Sequence, residues 1–280
     1  MQISKLIIEG SQKLKKEKIS SYLLDSELIM SKVLNKSRER ILISYDKEAT
    51  QNVITTFNNL INRRAKKEPI AYIFNTKEFW SRKFIVDSNT LIPRPETELL
   101  IEKIIKHFKK KNIFILDVGS GSGCIILSLL SEMKKSKGIG LDISKKAINI
   151  ALKNSKNLGL NKRCKFYKRS LNQLYGYKFD LIVSNPPYIC THQIKNLSDD
   201  VKKFEPRIAL DGGNDGLDVI KKVIYKSKSI LKKKGIFALE IGYGQYKKVS
   251  QILGTLGFKE KVLIKDYQDN IRCIITSLEI

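Results

Sequence analysis

Apolar positions along this chain keep one spacing up to about residue 75 and another beyond it. Between Ser20 and Asn35 the residues Tyr22, Leu23, Ile29, Met30, Val33 and Leu34 fall within a sector of about 140° at helical spacing, a core-facing stripe. Thr50 is suited to cap a further helix in which Val53, Phe57, Leu60 and Ile61 share one side, and Pro69 marks its end. A small helical bundle is predicted over residues 1–75, its stripes read as internal packing.

The period then shortens. Trp80, Arg82, Phe84 and Val86 alternate with Phe79, Ser81, Lys83 and Ile85, which predicts a strand or hairpin. Pro95 with Glu96 and Glu98 makes a good helix start, and Ile101, Ile104, Ile105 and Phe108 supply that helix with an apolar face. The domain junction is expected between residues 75 and 95, with a hairpin linker over 76–95.

From Ile113 strands and helices alternate, the pattern of a parallel sheet covered on both faces. Strands are predicted over 113–118, 138–142, 164–168, 179–184 and 236–241, with helices over 145–158 and 216–231 among the segments between them. After a helix over 245–256, strands over 258–265 and 271–277 are predicted to form an antiparallel edge. The fold class is α/β with a small helical domain in front.

Composition narrows the function. The 280 residues suffice for one large or two modest domains, and no apolar run approaches the length of about 18 residues that spans a bilayer. With no N-terminal targeting signal either, a soluble cytoplasmic protein is expected. Cys124, Cys164, Cys190 and Cys273 have no paired spacing, and His107 and His192 are the two histidines, which excludes the usual zinc patterns and a dense disulfide framework. No metal is expected. The net charge of +25 comes from lysines scattered over every segment, which implies solvated faces and weak, non-specific affinity for polyanions.

Two stretches carry candidate chemistry. The strand over 113–118 runs into Asp117-Val118-Gly119-Ser120-Gly121-Ser122-Gly123-Cys124, and an apolar helix begins at once. Glycines there let the backbone approach a ligand, and the helix N-terminus offers free N–H groups. A dinucleotide fingerprint needs a glycine at position 124, where Cys124 stands, and the phosphate-loop pattern is absent. The spacing Gly119-x-Gly121-x-Gly123 suits S-adenosylmethionine, which has no pyrophosphate. Asp142, closing the next strand, is placed to accept hydrogen bonds from ribose hydroxyls.

The second stretch is Asn185-Pro186-Pro187-Tyr188, where two prolines stop an apolar strand and stiffen the loop that follows. Both stretches end parallel strands, and ligands of open α/β sheets bind at the carboxyl ends. Transfer of a methyl group from a sulfonium to an amide or an exocyclic amine asks the protein mainly to position and desolvate. The Asn185 oxygen and the Pro186 carbonyl can accept the two hydrogens of such a nitrogen, and Tyr188 can pack on its planar group. No strong general base is demanded.

Over nearly its whole length the sequence resembles the class I methyltransferases that modify the glutamine of the Gly-Gly-Gln loop in peptide chain release factors. Asn185-Pro186-Pro187-Tyr188 alone is shared with DNA adenine and ribosomal-RNA guanine methyltransferases. The sharper matches are Asp25-x-Glu27-Leu28, Arg63-Arg64 leading to Glu68-Pro69-Ile70-Ala71-Tyr72-Ile73, Glu78-Phe79-Trp80, Leu91-Ile92-Pro93-Arg94-Pro95-Glu96-Thr97-Glu98, Glu205-Pro206, Ala209-Leu210, Gly212-Gly213-x-Asp215-Gly216-Leu217 and Glu240-Ile241-Gly242-Tyr243-x-Gln245.

The resemblance implies a Rossmann-like, seven-stranded class I methyltransferase domain over 96–280, a substrate-docking helical domain over 1–75, S-adenosylmethionine as donor, and release factors one and two as partners. It implies cofactor contacts at Gly119, Ser120, Gly121, Ser122, Gly123, Asp142, Leu171 and Asn185. Asn185, Pro186, Pro187 and Tyr188 would hold the glutamine, with Asn185, Pro186 and Tyr188 catalytic. Asn75 stands where the family has glycine, a turn position whose left-handed conformation Asn tolerates. Ser170-Leu171 replaces an acidic residue and the aromatic or apolar residue after it, and Asp269 and Ile271 replace a glycine and an aspartate ahead of Arg272. The alternative readings are an N-methyltransferase acting on a base amine of DNA or RNA, and a non-catalytic RNA-binding protein on a relict cofactor fold.

Overall fold

The computed structural model describes residues 1–43, 46–108, 111–266 and 268–278. One compact unit comprises Met1–Asn75 with Ser198–Phe204, the other Thr76–Leu197 with Glu205–Ile280.

The first unit is helical: α1 (Ile3–Lys16), α2 (Tyr22–Leu34), α3 (Arg38–Ile43), α4 (Gln51–Ala65) and α5 (Ile70–Phe74). Leu6, Ile7, Leu14, Ile29, Met30, Phe57 and Ile61 form its core. Thr50 caps α4, its hydroxyl oxygen accepting the Val53 amide at 3.4 Å. Pro69 does more than follow a helix, since it is the residue on which α5 begins. The stripe predicted on α2 is corrected at Leu23, which is 47% exposed. Polar residues occupy buried positions of that helix instead, because each finds a partner: Asp25 takes Arg64 at 2.7 Å, Glu27 takes Arg38 at 2.6 Å, and the Ser26 hydroxyl donates to the Ile7 carbonyl at 2.7 Å. Asn75 ends α5 with φ of 54°, the left-handed conformation expected of it.

The second unit opens with a hairpin of β1 (Thr76–Phe79) and β2 (Arg82–Ile85), turned by Trp80 and Ser81, both at φ of 52°. That turn breaks the predicted alternation, so that Phe79 and Phe84 meet edge to face at 6.1 Å. Then come α6 (Pro95–His107), β3 (Phe114–Val118), α7 (Cys124–Glu132), β4 (Lys137–Asp142), α8 (Lys145–Asn157), β5 (Cys164–Lys168) and β6 (Phe179–Ser184). The chain continues through α9 (Asp199–Phe204), which belongs to the helical unit, to α10 (Asp218–Ile230), β7 (Leu231–Glu240), α11 (Tyr246–Thr255), β8 (Phe258–Lys265) and β9 (Ile271–Leu278).

Among the described residues the main sheet has seven strands in the order β5-β4-β3-β6-β7-β9-β8. The first five of these are parallel, and β9 pairs antiparallel with both β7 and β8. This is the mixed seven-stranded sheet of class I methyltransferases. β7 begins five residues before the predicted strand, at Leu231, because Lys232 finds the Asp180 carboxylate at 2.9 Å and a charged run therefore joins the sheet. Asn154 of α8 holds the hairpin to the glycine turn: it accepts the Ile85 amide and donates to the carbonyls of Ile85 and Ser122 at 2.9 Å. No helix of the described residues is long and apolar enough to cross a membrane.

Candidate active site

β3 lies between β4 and β6, and the order of the sheet reverses there, so a crevice opens at the carboxyl ends of these strands. The glycine turn sits in it. The amides of Gly119 and Ser120 both donate to the Leu141 carbonyl at 2.9 Å, and the Gly121 amide donates to Asp142 Oδ2 at 2.9 Å. Gly119 and Gly121 have φ of 75° and 54°, and a Cβ built on either would have nothing within 4 Å. These two positions therefore present bare backbone to open space, a cradle that a nucleoside-bearing ligand can fill.

Asp142 already spends part of its carboxylate within the fold, with Oδ1 accepting the Ser144 amide at 2.8 Å. Two carboxylate oxygens offer about four acceptor sites, so capacity for ribose hydroxyls remains. Burial raises its pKa, against the pull of the Ser144 and Gly121 amides.

The loop after β6 is braced from behind at both ends of Tyr188. On the backbone side, Gln245 Nε2 donates to the Tyr188 carbonyl at 2.9 Å and to the Gly216 carbonyl at 3.2 Å, while its Oε1 accepts the Gly242 amide at 2.8 Å. One side-chain amide thus ties three loops together. The fit is tight enough that a Cβ on Gly216 would come within 2.4 Å of the Tyr188 carbonyl oxygen, and one on Gly212 within 2.8 Å of the Pro187 carbonyl oxygen.

On the side-chain side, Arg272 Nη2 donates to the Tyr188 phenol at 3.1 Å and its guanidinium carbon lies 5.5 Å from the ring centroid. The phenol faces Glu240 Oε1 at 3.5 Å. Burial, then the Glu240 charge, pushes the Tyr188 pKa up to about 12, so the ring stays a neutral donor.

A cavity of about 570 Å³ fills the crevice, a size that suits a nucleoside-bearing ligand. Gly119, Ser120, Gly121, Ser122, Asp142, Leu171, Asn185 and Pro187 line it, so eight of the residues picked out from sequence share one cavity. Gly123, Pro186 and Tyr188 do not line it. Gly123, at φ of 79°, is the N-cap of α7, Pro186 is buried, and Tyr188 is half-buried against the apolar core of the sheet unit. Ser170 lines the cavity as well but is committed to a capping box with Gln173, between the exposed Arg169 and Asn172 that also line it.

Further residues of this site carried no role at the level of sequence. Arg94 and Thr97 line one wall, and Pro206, Arg207 and Ile208 line another. Arg94 reaches Glu205 at 2.6 Å, an acid whose side chain is 1% exposed and which also accepts the Ile92 amide at 3.3 Å. A signal was present: Glu205 and Glu240 are acids next to apolar runs or prolines, where a solvated carboxylate has no place. Among the described residues, no cluster of three or more His, Cys, Asp or Glu is placed to hold a metal ion.

Comparison with known proteins agrees on both units. Residues 5–74 match the family described as PrmC N-terminal domain, and residues 109–251 the family described as Methyltransferase domain. The release factor glutamine methyltransferase of Clostridium botulinum is 40% identical over 278 residues, covering 98% of either chain, and that of Caulobacter vibrioides is 37% identical over 268 residues, covering 95% of this chain and 93% of its own. Among solved structures, a methyltransferase from Pyrococcus furiosus superposes with a TM-score of 0.56 at 16% identity, over 78% of this chain and 99% of its own, a likeness of fold.

Proposed function

Because this chain belongs to the family of release factor glutamine methyltransferases, we propose that it methylates the side-chain amide nitrogen of the glutamine in the Gly-Gly-Gln loop of peptide chain release factors one and two, in the cytoplasm. S-adenosylmethionine is the donor. The observation that carries the reading is the single cavity shared by the bare glycine turn and Asn185.

Bound donor would supply a methyl group made electrophilic by its sulfonium sulfur, the C–S bond breaking as the new bond forms and the sulfur leaving as a neutral thioether. Gly119 to Ser122, Asp142 and Leu171 hold that donor in this reading, with the buried Leu171 as an apolar wall. Gly123, as the cap of α7, keeps the turn in shape. Asn185 faces the same cavity and receives the substrate amide there.

An amide nitrogen is a weak nucleophile because its lone pair is delocalised into the carbonyl. Acceptance of its two hydrogens by Asn185 Oδ1 and the Pro186 carbonyl fixes the group and makes the nitrogen more electron-rich as the N–C bond forms. The nitrogen sheds one proton afterwards, and water suffices to take it. Tyr188, held by Gln245, Arg272 and Glu240, keeps the loop from yielding as the substrate enters. Pro187 completes the wall beside Asn185. The helical unit is the docking domain of this proposal, and the scattered positive charge adds only weak polyanion affinity.

The test is transfer of labelled methyl to a release factor and to its variant with the target glutamine replaced by alanine. Label confined to the unaltered factor is the expected result. Label that persists on the variant, or appears instead in DNA or RNA, overturns the proposal and favours the base-amine reading.

A further inference from the structure

Asn185 can perform the role proposed for it in only one of two nearly isosteric orientations. Its amide must present Oδ1 to the substrate, and a half-turn about the last side-chain bond would present Nδ2, a donor, to a nitrogen that needs acceptors. Something behind Asn185 has to distinguish the two ends.

The sheet supplies a candidate. β6 and β7 run parallel with Ser184 opposite Leu239, so Asn185 and Glu240 come next to each other one residue further along. Glu240 closes the buried run Ile236-Phe237-Ala238-Leu239 and is itself 1% exposed. Its carboxylate collects donors: the Thr97 hydroxyl reaches Oε2 at 2.7 Å, the Tyr188 phenol lies 3.5 Å from Oε1, and the strand register sets Asn185 beside the same group, where its amide helps to stabilise the charged form. Thr97 and Asn185 line the cavity while Glu240 stands behind them.

We infer that Glu240 is a positioning residue that sets the orientation of the Asn185 amide, taking its Nδ2–H and leaving Oδ1 to the substrate. The inference rests on the proposed role of Asn185. A carboxylate oxygen that accepts hydrogen bonds donates none, so the flipped amide would place an oxygen against an oxygen of a side chain that is 1% exposed. Burial raises the Glu240 pKa, and Glu96 adds to the rise, against the pull of the Thr97 hydroxyl, the Arg272 guanidinium and the Asn185 side chain. Glu240 therefore acts through Asn185, not on the reacting atoms.

The decisive variant is Glu240→Gln, which keeps shape and volume but can donate as well as accept. Three quantities are read: donor affinity by calorimetry, the separate kcat and KM for a release factor, and the Asn185 side-chain amide resonance in protein labelled with 15N-asparagine. The expected result is a kcat lowered about 100-fold, with donor affinity and KM within about threefold of wild type. The Asn185 amide signal shifts in the free protein. Adding Asn185→Asp to Glu240→Gln restores an acceptor facing the substrate and a donor behind it, and regains about tenfold of the lost rate.

An unchanged kcat, a donor affinity that falls in step with kcat, or no gain from the second substitution overturns the inference. The resonance needs no substrate. If the wild-type protein fails to methylate a release factor, the proposed function fails, whereas an Asn185 signal unmoved by Glu240→Gln contradicts the role of Glu240 by itself. Should the variant not fold, solvent exchange of the Asn185 amide protons in wild-type protein decides: slow exchange is expected, and exchange as fast as at exposed asparagines contradicts the inference.

Discussion

Asp25 in the helical unit and Glu240 in the sheet unit are 5% and 1% exposed, and their partners differ in kind. Asp25 meets a cation, Arg64 Nε at 2.7 Å, and the Ser21 hydroxyl at 2.9 Å. Glu240 takes its hydrogen bonds from neutral donors, the hydroxyls of Thr97 and Tyr188, with Asn185 beside it in the register, and feels the Arg272 charge without an ion-pair contact among the described residues. An acid neutralised inside the fold has little left to impose on its neighbours. An acid held by neutral donors turns its accepting oxygens to them and orients whatever donates to it.

The same contrast runs through both units. Arg38 takes Glu27 at 2.6 Å and Arg63 takes Glu68 at 2.5 Å, so the charged segments that tie this chain to its family in the helical unit find their partners within that unit. In the sheet unit, both carboxylate oxygens of Asp117 are buried without a hydrogen-bond partner among the described residues. Burial pushes its pKa up to about 7, and the Asp142 charge pushes the same way.

The largest effect expected from breaking this contrast is that of Arg64→Ala. It leaves Asp25 buried and unpaired, and should lower the free energy of unfolding by about 3–5 kcal/mol in urea titrations while donor affinity holds. A loss under about 1 kcal/mol would mean that the pair does not carry the helical unit.

Asp117→Asn comes next and has the opposite sign. An acid whose pKa is raised on folding binds its proton more tightly when folded, so stability falls as pH rises from about 4 to about 7 and levels off above that. The variant should flatten this slope and be more stable above pH 7, by at most about 4 kcal/mol. Thermal unfolding across that range checks it, and identical slopes in both proteins would contradict the burial argument.

Gly216→Ala should cost about 2 kcal/mol and about tenfold in kcat, since the added methyl presses on the Tyr188 carbonyl and its left-handed backbone suits glycine. If kcat survives, the backbone brace is dispensable. The smallest effect is that of Asn75→Ala, about 1 kcal/mol, from forcing alanine into a left-handed turn.

Periodicity sufficed for most of the sheet, because buried parallel strands such as Phe179–Ser184 are continuous apolar runs that local sequence declares. It failed where partners lie far along the chain. Leu23 belonged to the apolar stripe by spacing, but Asp25 and Glu27 are buried because Arg64 and Arg38 meet them. The first residues of β7 were hidden by the charged run Lys232, Lys233 and Lys234, of which Lys232 finds its partner in Asp180, 52 residues away.

At the site, the glycine turn and Asn185 were legible because strand ends and turn chemistry are local. Glu240 and Gln245 could be quoted only as parts of a family pattern. Their contacts reach Thr97, Tyr188 and Gly216, and no window of sequence holds those groups together.

The central claim is that Asn185 serves the transition state of amide methylation and not the fold. Its most direct test is single-turnover transfer to a release factor by the Asn185→Ala variant, with donor and factor both saturating. A rate about 1000-fold below wild type, with an unchanged unfolding midpoint, is the predicted result. A rate within a few-fold of wild type would contradict the account.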